Sequence, residues 1–418
     1  MRAHSQPIDE TASFRQNPRE RAFFDDPYGT YAKLHAEASD EGPILFWQDY
    51  GHWVFGGLET VNALFRDKRL GRQILHRIPR EELGWPPRPP HLAAFDAAEA
   101  HSLLELEPPD HTRLRGLINR AFVSRQIEQL IPSIEERAQS LLRSFAPDHP
   151  VDLISQFAEP LAVSTIADML GIDQKHGPRL LAWSHAMVKM YMPGRTSFDE
   201  TAANTAANAF SQWVRAIVRT RRKAPGTDLL SQLVHIEDST DRLSEDEVVS
   251  TVILLLNAGH EATVHAMGNG LRILLDTGRE RRAAWLQDAD ALVEEVLRYA
   301  PPLHMFTRYV LEDCELFGHP FKAGDVVGLH LGMANHDPRA MANPQQFDPS
   351  RVPVKQVAFG AGIHFCIGHA LARLELARVL PLIFDFAPAI EVCGRLITKD
   401  AYHFHGLEAL PVRLEPVA

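Results

Sequence analysis

Cys366 is the residue whose surroundings in this sequence most clearly favour chemistry. It lies in the segment FGAGIHFCIG, residues 359–368, and the helical pattern HALARLE follows directly. Glycines allow a backbone to lie against a flat ligand or to take unusual dihedral angles. The amide groups and positive end of the following helix favour a thiolate over a thiol. The segment therefore predicts a site for a metal or a nucleophile.

Three roles compete for this cysteine. A buried structural thiol would need neither the glycines nor the helix start. A cysteine phosphatase would need an Arg after five intervening residues, whereas Arg373 follows after six, which turns it by about 100° around the helix. A single axial ligand needs one thiolate on a rigid loop and small neighbours. These features favour thiolate-ligated haem.

The pattern F-G-x-G-x-H-x-C-x-G, followed by L-A-R-x-E over 371–375, resembles the haem-binding loop of the cytochrome P-450 family. The resemblance implies a mainly α fold with small β-sheets, in which haem b lies between a long central helix and the Cys-bearing loop. It implies Cys366 as the iron ligand, with Phe359, Gly360 and Gly368 as cofactor-binding positions of the loop.

Composition limits the class of protein. The 418 residues contain no linker, repeat or low-complexity tract, so we expect one domain over residues 1–418. Three cysteines are too few and too scattered for a disulfide framework or a zinc site. A net charge of −11 argues against nucleic-acid binding. The N-terminal residues have no apolar core, so we expect no membrane anchor. We also expect the protein to be cytoplasmic and a monomer.

Periodicity predicts the main elements. A hairpin is expected over 44–47 and 52–55, and further strands over 308–311, 315–317, 326–330 and 411–415. Helices are expected over 112–145, 153–171, 203–223, 245–275, 280–299 and 367–385. Five prolines in 72–100 exclude one regular helix there, and the resemblance implies that this segment covers the substrate.

The helix over 245–275 begins at a capping box formed by Ser244 and Glu247. Polar residues interrupt its apolar run and exclude a membrane span. The segment AGHEAT, residues 258–263, resembles the family's oxygen-binding stretch. The resemblance implies catalytic roles for Ala258, Gly259, Glu261 and Thr263, with Glu261 as the acid that delivers protons. The family's usual Thr position holds Ala262, so Thr263, an ordered water or a substrate hydroxyl could supply the last hydrogen bond.

Charged residues elsewhere match the family in two groups. Glu295, Arg298 and Arg351 match its Glu-Arg-Arg network, which we assign to the fold. His111 and Arg115 lie on one helix face at i and i+4. With Arg308 and His364 they match the positions that hold the haem propionates.

Two predictions concern partners. Five basic residues flank the segments expected on the Cys side and favour an acidic ferredoxin as electron donor: Arg113, Arg120, Lys355, Arg373 and Arg378. Apolar and Met-rich segments favour a hydrophobic substrate, with His304 and His403 as residues that could fix one polar group on it.

The resemblance implies a monooxygenase that hydroxylates a hydrophobic small molecule with O2 and two electrons from NAD(P)H, delivered through a ferredoxin reductase and a ferredoxin. Three alternatives stay open: a non-redox haem-thiolate isomerase or dehydratase, a peroxygenase, and a haem-based gas sensor. A sensor would not need Glu261 in mid-helix. A peroxygenase often carries an Arg-Pro pair in this stretch, and the sequence has none here.

Overall fold

A computed structural model describes residues 13–122, 124–146, 149–192, 194–236, 242–400 and 402–415. It is mainly α-helical with small sheets, as predicted. The chain forms two compact units. The first comprises the described parts of Met1–Arg88, Glu294–Cys366 and Thr398–His405, and the second those of Pro89–Val293, Ile367–Ile397 and Gly406–Ala418. A single domain over 1–418 stays a prediction.

The strands are short. They are β1 Ser13–Phe14, β2 Ile44–Trp47, β3 His52–Phe55, β4 Leu70–Gly71, β5 Val151–Asp152, β6 Phe306–Val310, β7 Cys314–Leu316, β8 His319–Phe321, β9 Val326–Leu329, β10 Glu391–Val392, β11 Ile397–Thr398, β12 Leu407–Ala409 and β13 Pro411–Arg413. In the first unit, six strands form a sheet in the order β1-β2-β3-β9-β6-β4, and β7 pairs with β8. In the second unit, the order is β10-β13-β5.

Four helices accompany the large sheet of the first unit: α1 Arg21–Asp25, α2 Tyr28–Ala36, α3 Leu58–Leu64 and α15 Leu331–Ala334. Apolar side chains of the sheet and of α3, such as Phe55, Val61 and Leu329, form one buried cluster with Phe65. A second cluster is rich in aromatic rings and includes Tyr402. The first cluster also includes Val357 and Ala361, so it fixes the chain just before Cys366.

Helices dominate the second unit. They are α4 Ala93–Glu99, α5 Asp110–Ala121, α6 Ser124–Glu128, α7 Ile131–Ser144, α8 Glu159–Leu170, α9 Gly177–Val188, α10 Ser197–Lys223, α11 Leu229–His235, α12 Glu245–Asp276, α13 Arg279–Leu286 and α16 His369–Phe386. Helix α14, Ala289–Tyr299, runs from the second unit into the first. The 32 residues of α12 span about 48 Å and pack against α8, α9, α10 and α16.

Several predicted elements are confirmed. The hairpin has the predicted bounds, with Gly51 at φ +70° in its turn. Helix α12 begins at the predicted capping box, in which the Ser244 hydroxyl accepts from the Glu247 amide and the Glu247 carboxylate accepts from the Ser244 amide. Residues 72–100 contain no long helix. No helix in the described part of the chain is long and apolar enough to cross a membrane.

Other helix boundaries were wrong. The helix predicted over 112–145 is three helices, α5, α6 and α7, and Pro132 lies in the first turn of α7, where a missing amide costs no hydrogen bond. The helix predicted over 280–299 is two, because the Asp288 carboxylate accepts from the Ala291 amide and starts α14 anew. Helix α10 begins at Ser197 rather than 203, since Thr196 forms a capping box with Asp199. Helix α9, Gly177–Val188, was not predicted.

Candidate functional site

The loop that carries Cys366 is held by its own backbone. The Cys366 amide donates to the Phe359 carbonyl at 3.1 Å, and the Gly360 amide donates to the Val357 carbonyl at 2.8 Å. The Cys366 side chain is half-buried and forms no disulfide. A thiol held at the end of a closed loop is oriented before any ligand binds.

Two glycines of this loop require their positive φ angles, +67° at Gly360 and +71° at Gly362. A Cβ on Gly362 would lie 2.2 Å from the carbonyl oxygen of Phe65, far inside van der Waals contact. The loop can therefore lie against Phe65 only because residue 362 has no side chain.

Two of the predicted cofactor ligands belong to this same unit. Arg308 lies on β6, and its side chain is buried with the guanidinium carbon 5.0 Å from the centre of the Phe65 ring. His364 ends a short helical turn, Gly362–His364, and is half-buried. Phe65 thus contacts both the backbone of the loop and one of the cations.

The predicted Glu-Arg-Arg network is present and buried. Arg298 donates from Nε to Glu295 Oε2 at 2.7 Å, and both side chains have no exposed surface. Arg351 Nε lies 3.6 Å from Glu295 Oε1. Arg298 also donates to the carbonyls of Asn335, Pro344 and Gln346. The pair fastens α14 to the segment before the Cys366 loop, which is the structural role predicted for it.

In the second unit, helix α12 is buried along most of its length but has one open stripe. Ala258 is exposed in mid-helix, and Leu254 and Ala262, four residues away on either side, are half-buried. Residues four apart share a helix face. An exposed alanine in the middle of a buried apolar helix marks a surface suited to a ligand.

Glu261 lies beside this stripe as a buried carboxylate. Its Oε1 accepts from His265 Nε2 at 3.1 Å, and its Oε2 lies 3.5 Å from His260 Nε2. Burial lowers the pKa of His260 to about 4, and the nearby Glu261 charge only partly offsets this. A buried carboxylate between two imidazoles can accept or release a proton within the helix.

The other two predicted catalytic residues of α12 have packing contacts. A Cβ on Gly259 would lie 2.8 Å from Ile166 Cδ1, so glycine here lets α12 approach α8. The Thr263 hydroxyl donates to the Gly259 carbonyl at 2.7 Å and is buried, on a different face from Ala262. Neither contact points to oxygen chemistry, and their catalytic roles stay predictions.

Helix α5 carries the other two predicted cofactor ligands. His111 is buried, and Arg115 is half-buried with its Nε donating to Asn119 Oδ1 at 3.1 Å. Arg113 forms an ion pair with Glu247, the capping residue of α12. This pair makes Arg113 a contact between helices of one unit rather than a charge available for docking.

Comparisons with known proteins agree with this geometry. A family profile described as Cytochrome P450 matches residues 286–386. The 6-deoxyerythronolide B hydroxylase of Saccharopolyspora erythraea is 33% identical over 402 residues, covering 94% of this chain and 97% of that protein. The chain belongs to the cytochrome P450 family.

Two further cytochrome P450 relatives bear on function. The vitamin D(3) 25-hydroxylase of Pseudonocardia autotrophica is 32% identical over 411 residues, covering 94% of this chain and 95% of that protein. The crystal structure of P450BioI in complex with hexadec-9Z-enoic acid ligated acyl carrier protein superposes with a TM-score of 0.85 at 30% identity, covering 94% of this chain and all of that one. The protein is a cytochrome P450 monooxygenase whose cofactor is haem b.

The residues of this P450 fit that cofactor. Haem with a thiolate ligand needs one cysteine on a rigid loop and backbone that leaves room for a planar ring. Cys366 is held by the Phe359 carbonyl, and a Cβ on Gly368 would meet no atom within 4 Å. In the second unit, Ala258 gives α12 a small exposed side chain.

A buried polar network of the P450 escaped the sequence analysis. The Tyr31 hydroxyl lies 2.7 Å from His304 Nδ1 and 2.6 Å from the Tyr402 hydroxyl, which in turn lies 2.6 Å from His330 Nε2. His304 is fully buried and stacks on His405. These contacts assign His304 to the core of the first unit and correct its suggested role in fixing substrate. Residues so distant in sequence carry no shared local pattern.

Glu375, the acid of the L-A-R-x-E pattern, is also buried, in α16. Burial raises its pKa to about 8, although a hydrogen bond with Thr165 opposes the shift. Its Oε1 has no hydrogen-bond partner among the described residues. Glu375 therefore holds its proton to a higher pH than an exposed glutamate does.

Proposed function

We propose that this P450 hydroxylates a hydrophobic small molecule with O2 and two electrons that reach it from NAD(P)H through a ferredoxin reductase and a ferredoxin. The names of its relatives support the substrate class, since vitamin D(3) and hexadec-9Z-enoic acid are largely hydrocarbon. The open stripe of α12, formed by Leu254, Ala258 and Ala262, presents only apolar side chains. An apolar surface of this kind favours an apolar ligand.

In the first unit, we assign the thiolate ligand to Cys366 and the propionate contacts to Arg308 and His364. When bound, the haem supplies the activation of dioxygen that oxygen insertion into a C–H bond requires. Phe359 and Gly360 keep the loop closed, through the Cys366 amide and a positive φ. In the second unit, the assigned propionate contacts are His111 and Arg115, and Gly368 starts the helix after the loop.

The observation that carries the proposal is the buried carboxylate of Glu261. A buried charged group in mid-helix costs free energy unless a hydrogen bond or an ion pair compensates for the lost hydration. His265 donates to Glu261 Oε1 and orients the carboxylate, and Oε2 lies 3.5 Å from His260 Nε2. We assign to Glu261 the delivery of protons during oxygen activation, to Ala258 the contact with substrate, and to Gly259 the close packing that positions the helix.

Ala262 bears on the last step of that delivery. A methyl group at this position of the stripe cannot donate a hydrogen bond. The Thr263 hydroxyl already donates to the Gly259 carbonyl. A water or a hydroxyl of the substrate therefore completes the path, and substrates with a suitably placed hydroxyl are expected to give more product per electron pair.

The basic residues proposed for ferredoxin docking differ in their surroundings. Arg113 is paired with Glu247, and Arg378 Nη1 lies 3.9 Å from Glu135 Oε1. Arg373 lies on the helix that follows the Cys366 loop, with its Nη1 2.9 Å from His369 Nδ1. Charge reversal of Arg373 should change the salt dependence of reduction by the ferredoxin, and an unchanged salt dependence would count against docking there.

The proposal is tested on the purified holoenzyme. The reduced carbon monoxide spectrum should show the thiolate signature, and Cys366→Ser should lose it while Cys393→Ser, a change at an exposed cysteine, retains it. A screen of apolar ligands by the shift of the haem band then supplies a substrate. Product formation should require NAD(P)H, the reductase and the ferredoxin. Product formed without a reductant would contradict the proposal.

A further inference from the structure

We propose that His185, His260 and Glu261 form a binding site for a divalent transition metal of the Zn²⁺ class, assembled from α9 and α12. The three side chains each offer one ligand atom, and these atoms lie within 4.8 Å of one another. Two imidazoles and one carboxylate are a donor set that Zn²⁺ favours. All three residues belong to the second unit.

His260 offers a buried ring nitrogen to this site. Its Nδ1 lies 3.3 Å from the Leu256 carbonyl and 3.1 Å from Ser184 Oγ, so that nitrogen has neighbours on the side away from Glu261. Nε2 is fully buried and has no hydrogen-bond partner among the described residues. It lies 3.5 Å from Glu261 Oε2.

A metal ion between these two atoms would take the lone pair of the neutral imidazole and the charge of the carboxylate. With Zn–N of about 2.0–2.1 Å and Zn–O of about 2.0–2.2 Å, a nitrogen and an oxygen ligand of a tetrahedral site lie roughly 3.3–3.5 Å apart. The separation of 3.5 Å between His260 Nε2 and Glu261 Oε2 matches that spacing. These two ligands are adjacent residues on a rigid helix, so half of the site is preorganised.

The third ligand, His185, lies on α9. The His185 side chain is 41% exposed near the end of α9, and its ring centre lies 5.4 Å from that of His260. Its Nε2 also lies 3.6 Å from Glu159 Oε1 on α8, which offers a fourth oxygen. An exposed ligand gives a metal from solvent a way in, and the fourth position is open to Glu159 or water.

An outer contact supports the coordination. Glu261 Oε1 accepts from His265 Nε2, so the carboxylate is held while Oε2 stays directed toward His260. Hydrogen bonds of this kind orient metal ligands and strengthen binding. The site would also bind the acid that we assign to proton delivery. This consequence rests on the proposed function: Zn²⁺ on Glu261 should lower the product formed per reductant consumed.

Metal binding is measured first, without reference to catalysis. The holoenzyme is titrated with Zn²⁺ alone in competition with a chromophoric chelator. We expect one Zn²⁺ ion to bind tightly per protein molecule. Loss of an outer-shell partner costs about 10–100-fold in affinity, so His185→Gln and His260→Gln should each weaken binding at least tenfold. His185 is half-exposed, so His185→Gln still tests the site if the buried His260→Gln variant fails to fold. His91→Gln is the matched control, since exposed His91 lies 2.9 Å from Glu200 Oε2 without a second imidazole ligand.

The outcomes separate this inference from the function. Equal Zn²⁺ affinity in wild type, His185→Gln and His91→Gln would overturn the metal site, whatever the enzyme catalyses. Tight binding that His185→Gln abolishes would establish it even if no hydroxylated product were ever found. In an active enzyme, one equivalent of Zn²⁺ should lower the product formed per reductant consumed, both in wild type and in His91→Gln. In His185→Gln, the same amount of Zn²⁺ should have little effect on this ratio.

Discussion

Glu261 Oε1 lies 3.1 Å from His265 Nε2, one turn further along α12, and both side chains are buried. The hydrogen bond offsets part of the cost of burying a carboxylate in an apolar stretch of α12. It also fixes the direction of the second oxygen, which His260 Nε2 faces. This short polar row within an apolar helix underlies both proposals.

Replacing Glu261 by Gln should slow product formation and lower coupling. The amide keeps the shape but cannot exchange a proton, and loss of a positioned acid typically costs about 10²–10⁴-fold. Product and NAD(P)H consumption are measured together, with Glu280→Gln on exposed α13 as the control. Unchanged turnover and unchanged coupling would remove Glu261 from the mechanism.

Gly362→Ala should destabilise the protein and disturb the Cys366 loop. Gly51 has nearly the same φ, +70° against +71°, but a Cβ there would meet nothing within 4 Å. Gly51→Ala therefore bears only the cost of the left-handed conformation, about 1–2 kcal/mol. The clash with the Phe65 carbonyl is added at 362. Thermal unfolding and the reduced carbon monoxide spectrum are measured for Gly362→Ala and Gly51→Ala. Equal losses of stability in the two variants would show that the clash at residue 362 is relieved at no cost.

Arg298→Met should unfold the protein at markedly lower denaturant. It removes both Arg298 hydrogen bonds from buried Glu295, and breaking a buried ion pair costs about 3–5 kcal/mol. It also removes the donor for three backbone carbonyls. The control is Arg21→Met, which breaks the exposed pair with Asp25 and should cost at most about 1 kcal/mol. Similar urea midpoints for both variants would contradict the assigned structural role.

Glu375 should make stability depend on pH. Its pKa rises from 4.5 to about 8 on folding, so between these values the folded protein holds a proton that the unfolded chain has released. The free energy of unfolding should then fall as pH rises through this window, by up to about 1.4 kcal/mol per pH unit. Glu375→Gln should remove that fall, while exposed Glu391→Gln should not. Urea unfolding at pH 5, 6.5 and 8 measures it, and identical pH profiles would refute the prediction.

Local patterns predicted local structure well. The capping box at Ser244 fixed the start of α12, and the short apolar runs around Gly51 gave the hairpin its bounds. Predictions failed where a break depended on one side chain in an otherwise continuous pattern, as at Asp288. Helix α9 was missed, and with it the position of His185. The neighbours of His185, which are Glu159 on α8 and His260 and Glu261 on α12, lie far from it in the chain. No local periodicity could therefore indicate these contacts.

Sequence patterns alone were enough to predict a haem-binding cysteine and an acid in the central helix, because both residues lie in local motifs that resemble one family. Tertiary structure decided what surrounds those residues. Packing of α12 against α8 explains why residue 259 is glycine, and burial sets the raised pKa of Glu375. Only the folded chain brings His185 beside His260 and Glu261, since contacts between helices depend on packing that no single segment encodes.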